Sequence, residues 1–170
     1  RTRGFWQTHG SDGTRWDVPV EYGYTCHVFD VHLGNTATLG WVDLTSCDQA
    51  LGVFWANNAK DSNGDRRGKI CQAQTMASKQ LMAAILNSGL DNGAALPIDP
   101  VSGFDIITAA QNALADGSDR KNIIRLMGML GDYNESGDLV AIVDNDGAII
   151  PPADPNGVRA YMDITSVDCQ

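Results

Sequence analysis

Apolar residues recur every three to four positions through the middle of the chain and every second position toward its ends. From Ile70 to Asn87 the stripe Ile70, Ala73, Ala77, Leu81, Ala84 and Ile85 predicts a helix that Gly89 stops. A second helix, capped by Ser102 and ended by Gly117, carries Ile106, Ala109, Ala110, Ala113 and Leu114. A third, capped by Ser118, runs through Ile123, Ile124, Met127 and Leu130. A shorter helix from Ser46 to Asn57, with Thr45 as N-cap and Asp48 in its first turn, presents Ala50, Leu51, Phe54 and Trp55. Their short connections predict one α layer with antiparallel neighbours.

Alternation takes over outside this region. Thr25 to Leu33 reads as a strand, and Asn57 to Gly68, rich in Asp, Asn and Gly, as an exposed loop. The apolar run at 139–143, followed by Asp144, Asn145, Asp146 and Gly147, predicts paired strands, after which Pro151, Pro152 and Pro155 interrupt the chain. The last segment sets Ala160, Met162 and Ile164 against Tyr161, Asp163, Thr165 and Val167, a strand pattern. No repeat or domain boundary divides the sequence. The expectation is one α+β domain over 1–170, with a helical layer at about 46–134 flanked by N- and C-terminal β and loop segments.

Composition narrows the partners. At 170 residues, 43% hydrophobic and 19% charged, the chain has room for a real core and is not disordered by composition. Its net charge of −9 repels a phosphate backbone or an anionic membrane, so nucleic acid is not an expected partner. No stretch approaches the roughly 18 apolar residues of a membrane helix, so direct insertion is not expected either. Of the 21 acids 19 are Asp, which favours turns, caps and oxygen ligation of cations.

Cys26, Cys47, Cys71 and Cys169 form an even set without a Cys-x-x-Cys pair, which predicts two disulfides and an oxidising compartment. The expected pairing is Cys47 with Cys71, which flank one loop, and Cys26 with Cys169, tying the final strand to the first β region. The opening at Arg1, without an initiator Met, reads as a processed mature terminus.

Residues Gly4, Phe5, Trp6, Gln7, Thr8 and His9, preceded by Thr2 and Arg3, resemble the Thr-Arg-x-x-Gly-Phe/Tyr-Trp-Lys-x-His signature of secreted microbial surface proteins, one residue shorter in spacing. Lys79 to Asn87 resembles that group's Gln-Leu-Ile-Ala-Ala-Lys-Leu-Asn helix, with Ile85 in place of the Lys. Asp132, Tyr133 and Asn134 resemble its Asp-x-Tyr-Asn helix end. The likeness spans about residues 2–137. It implies export and residence outside the cell, among proteins that extend to subunits of extracellular fibres, and it implies no chemistry.

Several constellations bear on function. Gly4, Phe5, Trp6 and His9 read as a structural clasp that pins a loose segment to the core, in preference to a metal or base site at His9. Cys26, His27, Asp30 and His32 include zinc-type ligands, but on a strand positions 27 and 32 point to opposite faces. Only a bulge or turn brings those two together. Asp61, Asn63 and Asp65 alternate as in a calcium loop, as do Asp132, Asn134 and Ser136, yet neither loop ends in a bidentate Glu, and a solvated turn or a helix cap competes with calcium at each. No other cofactor is indicated. No Gly-x-Ser-x-Gly elbow or spare thiol appears, so a hydrolase ranks third among the readings.

The first expectation is an extracellular structural protein that polymerises with itself head to tail, offering Tyr161, Met162, Ile164 and Val167 as a strand to its neighbour. The second is a module binding surface glycans through exposed members of Trp6, Trp16, Trp41 and Trp55.

Overall fold

The computed structural model describes residues 1–9, 23–90, 95–136 and 164–169. It is α+β and mostly helical, with one small antiparallel sheet. The strands predicted at 139–143 and over Arg159 to Asp163 lie outside the described residues.

α1 (Arg3–Thr8) starts where the Thr2 hydroxyl accepts the Phe5 amide. α2 (Tyr24–His27) runs directly into a π-helical turn, Val28–His32. The strand expected over Thr25 to Leu33 is therefore helical. Its buried residues are Tyr24, Thr25, Cys26, Val28 and Phe29, and positions 24, 25, 28 and 29 share one helical face. Burial of that face outweighs the β preference of Thr, Val and Phe.

β1 (Ala37–Thr38) pairs with β2 (Asp43–Leu44) in the register Ala37 to Leu44 and Thr38 to Asp43. The turn between them needs a glycine. Gly40 has φ +87°, and a Cβ there would lie 2.0 Å from the Gln111 carbonyl oxygen.

α3 (Cys47–Trp55) is capped by Ser46, whose hydroxyl accepts the Gln49 amide, one residue later than predicted. α4 (Lys69–Ser88) matches the predicted long helix. α5 (Ile106–Asp116) takes Asp105 as its cap in place of Ser102, and Gly117 ends it at φ +64°. α6 (Arg120–Ser136) begins on Asp119, which accepts the amides of Lys121 and Asn122. Ser118, the predicted cap, bonds Asp116 instead. A carboxylate outcompetes a hydroxyl at both positions because it also complements the positive end of the helix.

α4 is the central helix: α1, α3, α5 and α6 all pack against it. Accordingly it is buried on most of its faces, through Ala73, Ala77, Leu81, Met82, Ala83, Ala84, Ile85 and Leu86 and through the polar Thr75, Ser78, Lys79 and Asn87. The α4 side chain of Gln74 reaches the Leu114 carbonyl near the end of α5, so these helices run antiparallel. α6 then returns parallel to α4, placing Arg120 beside Lys69 at one end and Asn134 beside Asn87 at the other.

The final described element is a 3₁₀ turn, Ile164–Val167, packed on α3. This corrects the predicted assembly strand. Val167 is fully buried within its own chain and Ile164 is half-buried, while Tyr161 and Met162 lie outside the described residues. The physical reason is Cys169, whose cross-link to α4 draws the segment onto the helices.

Candidate functional site

The clasp residues come together at the C-terminal ends of α4 and α6. Trp6 is wholly buried, its ring stacked on Tyr24 at 5.7 Å, and Phe5 packs edge-on to both rings. The Trp6 indole N–H donates to Asn87 Oδ1 at 3.0 Å. The main-chain nitrogen of Arg1 donates to the same oxygen at 2.7 Å, and Asn87 Nδ2 donates to the Arg1 carbonyl at 2.8 Å and to Asn134 Oδ1 at 2.9 Å. Asn134 Nδ2 then bonds the carbonyl and side-chain oxygens of Gln80, each at 3.0 Å. One hydrogen-bonded chain thus joins α1, α4 and α6, with Trp6, Asn87 and Asn134 at its buried centre.

His9 completes the clasp. Its ring stacks on Phe5 at 4.0 Å, and Nδ1 lies 2.7 Å from the Phe5 carbonyl oxygen, which can only accept, so Nδ1 carries the proton. Burial holds the imidazole below its usual pKa against the pull of that carbonyl. Thr25 fastens the far side, its hydroxyl donating to the Trp6 carbonyl and its amide to the His9 carbonyl.

A second lock holds residues 167–169. Cys26 pairs with Cys47 and Cys71 with Cys169, so all four cysteines are oxidised as expected but in a different pairing. The expected Cys47–Cys71 and Cys26–Cys169 bridges are corrected for a geometric reason. Cys26 on α2 lies against the first residue of α3, and Cys71 in the first turn of α4 faces the last described segment. Beside the second disulfide, Arg67 is 5% exposed and sends its guanidinium to the Val167 carbonyl at 2.9 Å and to Asp168 at 2.7 Å. Burial works to raise the Asp168 pKa, but the Ser62 hydroxyl and amide and Arg67 outweigh it and hold the carboxyl low. A cleft of about 600 Å³ opens next to this lock, lined by Asp61, Arg66, Lys69, Ile70 and Gln74 among others.

In the loop proposed for calcium, Asp61 Oδ1 accepts the amides of Asn63 at 3.0 Å and Asp65 at 2.8 Å, while Asn63 and Asp65 are exposed. Asp61 thus orders the turn through its own backbone. Asn134 of the other calcium-type run is committed to Asn87 and Gln80, and the Ser136 hydroxyl to the Tyr133 carbonyl. Among the described residues no three His, Cys, Asp or Glu side chains converge as metal ligands. Of the tryptophans, Trp6 is buried, while Trp41 and Trp55 are half-buried and direct their indole N–H groups to Ser78 and to the Gln7 carbonyl. Trp16 lies outside the described residues. The glycan reading therefore has no exposed indole among the described residues to rest on.

A third feature went unseen in the sequence. Between α4 and α5, Asp99 is 1% exposed and accepts hydrogen bonds from the Val101 and Ser102 amides, the Ser102 hydroxyl and both terminal nitrogens of Arg125. The Arg125 guanidinium, helped by Ser102, holds its carboxyl well below the usual range against the effect of burial. Around this anchor the loop displays Ile98, Val101 and Phe104 at 61%, 74% and 51% exposure.

No family model, curated protein or solved structure matches the chain. Among the described residues no helix is long and apolar enough to cross a membrane.

Proposed function

We propose that the chain is an extracellular structural protein that joins copies of itself head to tail into a filament. The observation that supports this most is the loop at 95–104, anchored through Asp99 and carrying three large apolar side chains that the described chain leaves uncovered. Its only charged side chain, Asp99, is turned inward and neutralised by Arg125. The loop therefore brings no unpaired negative charge to a contact between copies of an acidic chain of net charge −9. Covering Ile98, Val101 and Phe104 contributes about 1–2 kcal/mol each, before the ordering costs of association.

The rest of the architecture suits durability outside the cell. Two disulfides belong to an oxidising compartment, and the clasp and lock fasten the described terminal segments to the helical layer. Because residues 164–169 are held internally, the loop takes the role first given to the terminal strand. A loop seated on a different face of the next copy makes a heterologous contact, which propagates unless its rotation closes a ring.

Light scattering and electron microscopy of the full chain test the reading, with Val101→Asp and Phe104→Asp as variants. The wild type is expected to give masses at successive multiples of the subunit, and each variant to give folded monomer. A monodisperse wild-type monomer at high micromolar concentration would overturn the proposal.

A further inference from the structure

We propose that His27 and His32 form a two-imidazole site for a divalent transition metal, of which zinc is the expected occupant. In a strand these residues would diverge. The chain instead turns as a π-helix from Val28 to His32, closed by a hydrogen bond from the Leu33 amide to the Val28 carbonyl at 3.2 Å. The wider turn stacks residues five apart, and the two rings stand 5.9 Å apart between centres, nearly perpendicular.

That separation fits a shared metal. Two imidazoles on one tetrahedral zinc, with Zn–N near 2 Å, place their ring centres about 5 Å apart, so a small side-chain rotation closes the difference. A second, independent observation points the same way. His32 Nε2 is buried and has no hydrogen-bond partner among the described residues, a costly state that a bound cation relieves.

The turn is also held in place. The Cys26–Cys47 disulfide lies immediately before His27, and Val28 and Phe29 between the two histidines are fully buried. Both residues are half-buried, and the side-chain rotation that draws the rings together must also uncover His32 Nε2 for a metal to enter. Cys26 is consumed by its disulfide, so the protein supplies two neutral imidazole nitrogens and water fills the remaining positions. Imidazole ligation selects zinc, copper or nickel over calcium and magnesium.

Isothermal titration of the full, oxidised chain with zinc chloride tests the site, using His27→Gln and His32→Gln. The wild type is expected to bind one zinc per chain with Kd below about 100 µM. Each variant is expected to weaken binding at least about tenfold. Imidazole nitrogen NMR of the wild type gives a readout that needs no variant: of the three histidines, His27 and His32 should shift on zinc addition and His9 should not. No zinc uptake by the wild type would overturn the proposal, as would unchanged affinity in both variants or a shift confined to His9. The first of these outcomes would leave an N–H to ring contact as the reason the two imidazoles sit edge to face.

Discussion

Replacing Asn87 with leucine removes one side chain and strands two others. Trp6 Nε1 and Asn134 Oδ1 each rely on Asn87, and their residues are 0% and 1% exposed. A buried polar group left without a partner costs about 1–3 kcal/mol, so the pair costs about 2–6. The main-chain groups of Arg1 are half-buried and can turn to water, so they add less. Leucine returns about 1–2 kcal/mol through its own burial. With the small Arg1 contribution the expected net loss is about 1–5 kcal/mol. Urea unfolding with disulfides intact, followed by tryptophan fluorescence, should show a lower midpoint at unchanged slope. The companion Asn134→Leu sharpens the test, because the double variant no longer leaves Asn134 Oδ1 orphaned. Its loss should fall short of the sum of the singles by about 1 kcal/mol or more. A loss below about 1 kcal/mol in Asn87→Leu, or strict additivity of the pair, would refute the idea that this network sets stability.

Three further outcomes are expected. A non-reducing digest should link Cys26 to Cys47 and Cys71 to Cys169, and Cys71→Ser/Cys169→Ser should cost roughly 4–5 kcal/mol against about 3 for loss of the shorter-loop bridge, since the separations are 98 and 21 residues. Because Arg125 depresses the Asp99 carboxyl, the stability from that pair is complete above the unfolded carboxylate value of about 3.9 and drains away as pH falls below it; Arg125→Met should melt lower at pH 6 and show a flatter pH dependence between about 2 and 5. Burial, with Arg3 and Arg67 nearby, lowers Lys79 from 10.5 to about 8, so the unfolded chain binds the extra proton between those values and wild-type stability should rise with pH across that window relative to Lys79→Met.

Lys79 also shows what periodicity can and cannot reveal. Its place within the long helix was legible, because Ile70, Ala73, Ala77, Leu81 and Ala84 mark one face whatever the other residues do. That its ammonium would be buried to bond the Ala56 carbonyl at the end of α3 was not, since this depends on how two helices cross. The same division runs through the fold. Helices α3 to α6 emerged from apolar spacing; the caps of α5 and α6 slipped by three residues and one where an Asp displaced a Ser, and that of α3 by one where Ser46 displaced Thr45. Thr25 to Leu33 misled because a short segment buried by its neighbours can carry β-favouring residues in a helix. The cysteine pairing misled because Thr25 to Leu33 and the last segment read as β elements that a bridge would tie together. The first is helical and the second a 3₁₀ turn, and their cysteines meet α3 and α4. Asp99 gave no signal, since its partner Arg125 stands 26 residues away.

Three segments far apart in the sequence prove to be parts of one object. Trp6, Asn87 and Asn134 come from three stretches separated by 81 and 47 residues, and each supplies a polar group whose satisfaction requires the next. The geometry follows from topology: α5 runs against α4, α6 must then run with it, and so the two asparagines near the ends of their helices stand side by side. Such a network stabilises only when complete, and it does so without implying any reaction. It also isolates what the scaffold does not use. Among the described residues, the buried side-chain atoms left without partners are His32 Nε2 and Asn58 Oδ1. His32 differs from Asn58 in having a second imidazole one π-turn away, and a polar atom that the fold leaves unpaired beside a matching ligand is better explained by something it binds than by the packing around it.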